Sequence, residues 1–297
     1  MSFIEDEIAD QPRCWLRAAE LASVPAVAAA LPEPDERVAI VGCGTSLYMA
    51  QTFAVLREGA GLGETDAYAA SEYPHNRHYD RVVALTRSGT TTEVLWLLAD
   101  LRATVASTVI TTGASLPAGE HARDTVVLDF ADERSVVQTR FATSALALWR
   151  AHLGQDLNGA IDDARAELGT KLDPDLVERE QFTFLGTDWT IGLANEAALK
   201  VREASQSWAE SYSGMEFRHG PISVVDGRSA VWIFGPAPDG LVDELAGTGA
   251  LIVQSERDPM AHLTTAQRLA VAVAERRGLN PDAPRNLTRS IVLSPNS

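Results

Sequence analysis

Along the chain, short apolar, β-branched runs alternate with stretches in which apolar residues recur at helical spacing. Arg37-Val38-Ala39-Ile40-Val41-Gly42 reads as a buried strand closed by glycine, and residues 81–86, 106–111 and 125–129 read as three more. Continuous apolar runs of this length suit strands buried on both faces, and the stretches 46–60, 91–103 and 134–153 predict the helices that cover them. The pattern then restarts. Residues 155–180 are polar, helical in character, and bridge to strands at 181–186, 229–234 and 249–253 and a long helix over 261–277. Asn280-Pro281-Asp282-Ala283-Pro284 cannot continue that helix, so residues 285–293 read as an extended tail ending in an apolar run. Two βα series in one chain predict an α/β protein of two domains, residues 1–154 with an N-terminal helix and residues 155–297 with the tail. Each is expected to be a parallel sheet between helices, a three-layer α/β/α arrangement.

Composition supports two such cores, since 45% of the 297 residues are hydrophobic. No apolar run reaches the roughly eighteen residues of a membrane span, so no membrane is expected as a partner. The start, with Glu5-Asp6-Glu7, is acidic, unlike a secretory leader. The two cysteines, Cys14 and Cys43, fit neither a metal spacing nor a disulfide framework, and a cytoplasmic location is expected. The six histidines are scattered, and neither a metal nor a cofactor is expected. A net charge of −16 argues against nucleic acid as a partner. It also means that a phosphate ester would have to be drawn in by local N–H groups and hydroxyls, against the global field.

Two segments have that local character. Gly42-Cys43-Gly44-Thr45-Ser46 follows the first strand directly, its glycines allowing a tight turn and its hydroxyls standing at a helix start. A plain capping turn would use the same residues. Thr86-Arg87-Ser88-Gly89-Thr90-Thr91-Thr92 follows the second strand and carries five hydroxyls in seven residues, more than capping needs. Together the two turns would surround an anion above neighbouring parallel strands, and Arg87 could add charge or point into solvent. In the second half, Glu196, Lys200 and Glu203 share one face of a predicted helix at i, i+4 and i+7. An exposed, salt-bridged face would show the same spacing. His219-Gly220-Pro221 presents an imidazole on a fixed loop, and a histidine with a glutamate can supply the acid and base of aldose–ketose chemistry. Gly-x-x-x-x-Gly-Lys-Ser/Thr is absent, and the dinucleotide fingerprint fails at Leu47.

With these motifs the chain resembles the tandem SIS (sugar isomerase) family, in particular the isomerase part of glucosamine-6-phosphate synthases and stand-alone sugar-phosphate deaminases and deglycases. The resemblance runs from Glu7-Ile8-Ala9-Asp10-Gln11-Pro12 through Cys43-Gly44-Thr45-Ser46, Thr86-Arg87-Ser88-Gly89 and the Glu196–Glu203 helix. It continues through Ala209-Glu210 and Glu216-Phe217-Arg218-His219-Gly220-Pro221 to Asp282–Ser290. It implies five parallel strands in each half and a homodimer with active sites near the interface. It implies a sugar-phosphate site at Cys43, Gly44, Thr45, Ser46, Thr86, Arg87, Ser88, Gly89 and Thr91, with Glu196 a nearby polar position. By the same resemblance Glu203 moves the proton between C1 and C2, His219 opens the ring, often from the partner subunit, and Lys200 is the active-site lysine. No glutaminase part precedes these motifs, so the chain is not expected to draw ammonia from glutamine by itself.

Two departures stand out. The synthases place an imine-forming lysine in the tail where this chain has Arg289, whose guanidinium stays protonated and is a poor imine former. Arg289 could still clamp an anion or a sugar hydroxyl. The segment from Val253 to His262 is also too short for a further strand and loop, so the second sheet either lacks an edge strand or borrows the tail. The expected function is C1/C2 isomerisation or deamination of a ketose or aminosugar 6-phosphate. The competing expectation is a phosphosugar sensor without turnover.

Overall fold

The computed structural model describes residues 2–294; Met1 and residues 295–297, the extremes of the two expected domains, lie outside the described residues. Helices α1 (Phe3–Ala9), α2 (Gln11–Ala22) and α3 (Pro25–Ala30) lead into the first sheet. Its elements are β1 (Val38–Gly42), α4 (Thr45–Gly59), β2 (Thr65–Ala69), β3 (Arg81–Leu85), α5 (Thr92–Leu101), β4 (Ala106–Thr111), α6 (Pro117–His121) and β5 (Asp124–Val127). Helix α7 (Arg140–His152) closes this half. All pairings are parallel, in the order β2-β1-β3-β4-β5. From β1 the chain leaves first to one side and then to the other. The carboxyl ends of β1 and β3 therefore form a switch point, where loops splay apart and leave a crevice.

The second half repeats this winding. It comprises α8 (Asn158–Gly169), α9 (Pro174–Val177), β6 (Gln181–Gly186), α10 (Thr190–Ser205), β7 (Trp208–Ser213), β8 (Ser229–Ile233), α11 (Leu241–Ala246), β9 (Leu251–Val253) and α12 (Pro259–Arg276). The strands are again parallel, in the order β7-β6-β8-β9. Five strands per half were expected from the resemblance, and the second sheet has four. Residues 254–258 run straight from β9 into α12, where the first half spends residues 112–139 on α6 and β5. Among the described residues the tail does not replace the missing strand, because it joins neither sheet.

The strands read from continuous apolar runs are all present. Strands β2 and β7 were not foreseen. Both lie at sheet edges, and most of their residues are only half-buried. One hydrophobic core runs through both halves, from Trp15 and Phe53 to Phe182 and Trp232. The halves meet where α10 crosses α4. A Cβ added at Gly192 would lie 2.5 Å from the Tyr48 carbonyl oxygen and closer still to the Thr52 hydroxyl, so the two helices touch backbone to side chain. Thr52 Oγ1 donates to the Trp189 carbonyl (3.2 Å), and Asn195 Nδ2 to Gln51 Oε1 (2.9 Å). This contact fixes where the polar face of α10 points. Among the described residues no helix is long and apolar enough to cross a membrane.

Candidate active site

The first turn is tight because β1 ends in glycine. A Cβ at Gly42 would lie 2.6 Å from the Ser46 carbonyl carbon, and Gly44 adopts φ +56°. These two residues let the chain double back so that Thr45 and Ser46 open α4, both nearly buried. Cys43 is half-buried, and burial, reinforced by Glu93, pushes its thiol up to about 11. It is therefore a neutral thiol and a poor nucleophile at neutral pH. The second turn, between β3 and α5, bends at Gly89 (φ +60°). Its hydroxyls contact one another: Ser88 Oγ lies 3.4 Å from Thr91 Oγ1 and accepts from the Thr90 amide (3.2 Å). The Thr86 hydroxyl is buried without a hydrogen-bond partner among the described residues.

Arg87 faces elsewhere. It is 2% exposed, and its guanidinium binds Glu133 (3.1 Å) and the carbonyls of Ser135 (3.1 Å), Val136 (2.9 Å) and Arg289 (3.3 Å). The Glu133 carboxylate in turn accepts from the Thr139 amide (2.5 Å) and hydroxyl (3.0 Å). Arg289 turns its guanidinium to the Glu133 carbonyl and the Asp132 carboxylate. The tail then runs along the second turn: Ser290 Oγ meets Thr90 Oγ1 (2.9 Å), the Thr92 amide donates to the Ile291 carbonyl (3.1 Å), and the Leu293 amide donates to Thr92 Oγ1 (2.8 Å). Arg87 and Arg289 thus fasten the tail and the 132–136 segment. Glu133 had no signal in the sequence beyond membership of an acidic pair that reads as surface.

The face of α10 that carries Glu196, Lys200 and Glu203 is not a solvated ion-pair stripe. Glu196 and Lys200 are buried, and Lys200 Nζ donates to Glu203 Oε2 (2.5 Å) and across the halves to Thr45 Oγ1 (2.9 Å). Glu196 Oε1 stands 3.6 Å from the same ammonium, and neither of its oxygens has a hydrogen-bonding partner. Burial pushes the Glu196 carboxyl up to about 8, with Lys200 opposing and Glu203 adding to the rise. At neutral pH it is mostly protonated. Burial works against the charge on Lys200, but Glu203, and Glu196 once it ionises, outweigh it and hold the ammonium above the ordinary lysine range. Glu203 is the member of the three that reaches solvent, its side chain 20% exposed. It opens on a cleft of about 330 Å³ bordered by Arg202, Gln206, Arg285 and Asn286. Sequence reading passed over Arg202 and Arg285.

His219 lies apart from this group. It ends a 3-10 turn, Glu216–His219, is exposed, and makes no hydrogen bond or ion pair among the described residues. Within one chain the structure therefore joins Thr45, Glu196, Lys200 and Glu203, and leaves the histidine outside.

Two parallel sheets flanked by helices, with hydroxyl-rich turns at one switch point and a buried lysine bridging the halves, define a class: doubly wound α/β proteins. No family model matches the chain. It is 26% identical to the glutamine–fructose-6-phosphate aminotransferase of Corynebacterium glutamicum over 87% of this chain and 51% of that protein. The chain spans about half the length of the curated relatives it matches first. Among solved structures, the glucosamine-6-phosphate deaminase of Thermotoga maritima superposes with a TM-score of 0.83 at 25% identity, covering 98% of this chain and 100% of that one. The tagatose-6-phosphate ketose/aldose isomerase of Escherichia coli gives 0.79 at 20% identity, covering 99% and 96%. The resemblance to the SIS family, and to the isomerase part of the aminotransferases, is thereby shown.

Proposed function

We propose that the protein binds a ketose or aminosugar 6-phosphate between its halves and catalyses isomerisation or deamination at C1 and C2. We take residues 1–154 and 155–297 as its two SIS domains. The observation that carries this reading is the Lys200 ammonium, which touches Thr45 in one turn and Glu203 on the other half. In this assignment Ser46, Thr86, Ser88 and Thr91, with the turn amides around Cys43, Gly44 and Gly89, hold the phosphate. Arg87 and Arg289 act one step back, fastening the tail over the second turn. Glu203 removes the proton from one carbon and returns it to its neighbour. Lys200 offsets the enediolate charge, and Glu196 keeps a proton beside it. His219 opens the ring from a partner subunit, since no described residue of its own chain holds it, and the working form is then a homodimer. Isomerisation moves one proton between carbons and one between oxygens; deamination consumes one water and releases one amine. The setting is the cytoplasm, where sugar phosphates are made and used.

Solvent deuterium exchange at C1 or C2 of fructose 6-phosphate and glucosamine 6-phosphate tests the chemistry. Exchange is expected in the wild type and about 10²–10⁴-fold slower in Glu203→Gln, the range for losing a general base. Tight binding of a broad panel of sugar phosphates with no exchange on any of them would refute catalysis and leave a sensor.

A further inference from the structure

The shortened second sheet leaves a cavity that the sugar-phosphate site does not use. Residues 254–258 run straight from β9 into α12, so no strand covers the outer edge of β9 among the described residues. Beside that edge lies a cavity of about 330 Å³, walled by the end of α8, residues 170–176, β9 and the first turns of α12. None of its lining residues belongs to the turns of the first sheet or to α10. Leu172, Leu176, Leu251, Ile252 and Val253 give it aliphatic walls, and the exposed Lys171 and Asp173 put opposite charges at its rim.

His262 lines this cavity from α12 although it is only 4% exposed. Its ring lies against that of Trp232, with centroids 4.5 Å apart, and the indole N–H donates to Nδ1 (3.2 Å). Burial pushes the imidazole down to about 4, with Glu167 opposing the fall and Arg257 adding to it, so the ring is neutral at pH 7. A neutral ring that accepts at Nδ1 carries its proton on Nε2. That second N–H has no hydrogen-bonding partner among the described residues. A donor left unpaired on a buried side chain is costly, and its place in a cavity wall lets a ligand satisfy it. The neighbouring polar groups are already engaged. The nearly buried Glu167 accepts from Ser255 Oγ (3.1 Å) and Thr265 Oγ1 (2.5 Å) and pairs with Arg257 (3.1 Å). Its carboxylate disfavours a second anion at the His262 end, and the guanidinium that could offset one is committed to Glu167.

We infer that this cavity is a second binding site, for a small neutral molecule whose carbonyl oxygen accepts from His262 Nε2 and whose apolar body lies along β9. Lactams and secondary amides have this chemistry. A carboxylate or phosphate meets Glu167 instead, and an amine brings no acceptor suited to the N–H. A volume of about 330 Å³ is at the lower end for ligand pockets and admits a single substituted ring. The site exists because the fifth strand is missing, and it is independent of the sugar-phosphate reading.

The probe is ε-caprolactam, with cyclohexanecarboxylate as an acid of similar size, titrated into the whole chain labelled with ¹⁵N at tryptophan. The Trp232 indole signal, identified by its loss in Trp232→Phe, is expected to shift with the lactam at a dissociation constant of about 1–10 mM, the scale for so small a ligand. The acid is expected to bind about tenfold more weakly, from the cost of placing its charge beside Glu167. His262→Phe keeps a flat ring and removes the N–H, so lactam affinity read by saturation-transfer NMR should fall about fivefold, the scale of one neutral hydrogen bond. Leu251→Trp, at a half-buried position on the open edge, fills the cavity and should abolish lactam binding; it decides the question if His262→Phe does not fold. Fructose 6-phosphate binding should be unchanged in both variants. No shift at Trp232 up to about 50 mM lactam, equal binding of lactam and acid, or lactam affinity unchanged in the variants overturns the site and leaves the His262 donor to water.

Discussion

Replacing Glu196 by glutamine is expected to make the protein more stable, by an amount that grows with pH. Glu196 is fully buried, with the Lys200 ammonium 3.6 Å away and no donor within hydrogen-bond distance among the described residues, and burial, opposed by Lys200 and Thr45, lifts its carboxyl from the ordinary 4.5 to about 8. Below pH 4.5 both the folded and the unfolded chain hold the proton. Between there and about 8 only the folded chain keeps it, so each pH unit removes about 1.4 kcal/mol of stability. The stabilising proton is thus fully effective below the unfolded value and lost as pH rises through the folded one. Glutamine has nearly the same shape and no proton to lose. From about pH 5.5 to about pH 7.5 the gap in unfolding free energy should widen by about 2–3 kcal/mol in favour of Glu196→Gln. Lys200 does not confuse the comparison: its raised pKa makes its contribution fade only above the ordinary 10.5, outside this window. Glu7, raised by burial, and His262, lowered by burial to about 4, titrate in both proteins and cancel. Urea unfolding of the two proteins at a series of pH values reads the gap directly. Parallel stability curves, or a gap that narrows as pH rises, would refute the account of Glu196 as a protonated buried acid.

Gly192→Ala should push α10 off α4, because the added carbon meets the Tyr48 carbonyl at 2.5 Å and backbone cannot swing aside. A loss of about 1–3 kcal/mol is expected by urea titration, as for other overpacked contacts, and an unchanged midpoint would contradict the contact. Glu133→Leu strands the Arg87 guanidinium, buried at 2% exposure, without its carboxylate. Removing one partner of a buried pair costs about 3–5 kcal/mol, and release of the tail should speed tryptic cleavage at Arg285 and Arg289. Cleavage no faster than in the wild type would show that Arg87 does not fasten the tail.

What could be read from the sequence followed the continuity of apolar runs, which also marked the half-buried edge strands β5 and β9. Strands β1, β3, β4, β6 and β8 are covered on both faces, so their apolar runs are continuous and stand out. The edge strands Thr65–Ala69 and Trp208–Ser213 are interrupted by Thr65, Asp66, Glu210 and Ser211, so they carry no continuous apolar run to mark them. The missing fifth strand was legible as a shortage of residues after Val253, but where the tail went was not. Glycine and hydroxyl content marked both turns because a tight turn needs those residues locally. The spacing of Glu196, Lys200 and Glu203 put them on one face, yet spacing carries no information on whether that face meets water or Thr45. Arg87 looked like a free charge for the same reason: Glu133, Ser135, Val136 and Arg289, which occupy it, lie far along the chain.

The arrangement divides the work between the halves. Turns of the first sheet offer the hydroxyls and amides suited to a phosphate, and α10 of the second half supplies the groups suited to a carbon acid. In the proposed assignment neither half alone would hold a complete site, and the crossing of α10 over α4 would set the distance between the two ends of the sugar phosphate. That crossing is held by a glycine against a carbonyl, a contact with no slack, and by a single ammonium that touches both halves. A displacement of about 1 Å at a reacting centre costs on the order of 10²-fold in rate. On the proposed assignment, changes at Gly192 or Lys200 should therefore reduce turnover more than they reduce phosphate binding, because the residues assigned to the phosphate all sit on one half and keep their mutual geometry when the halves shift.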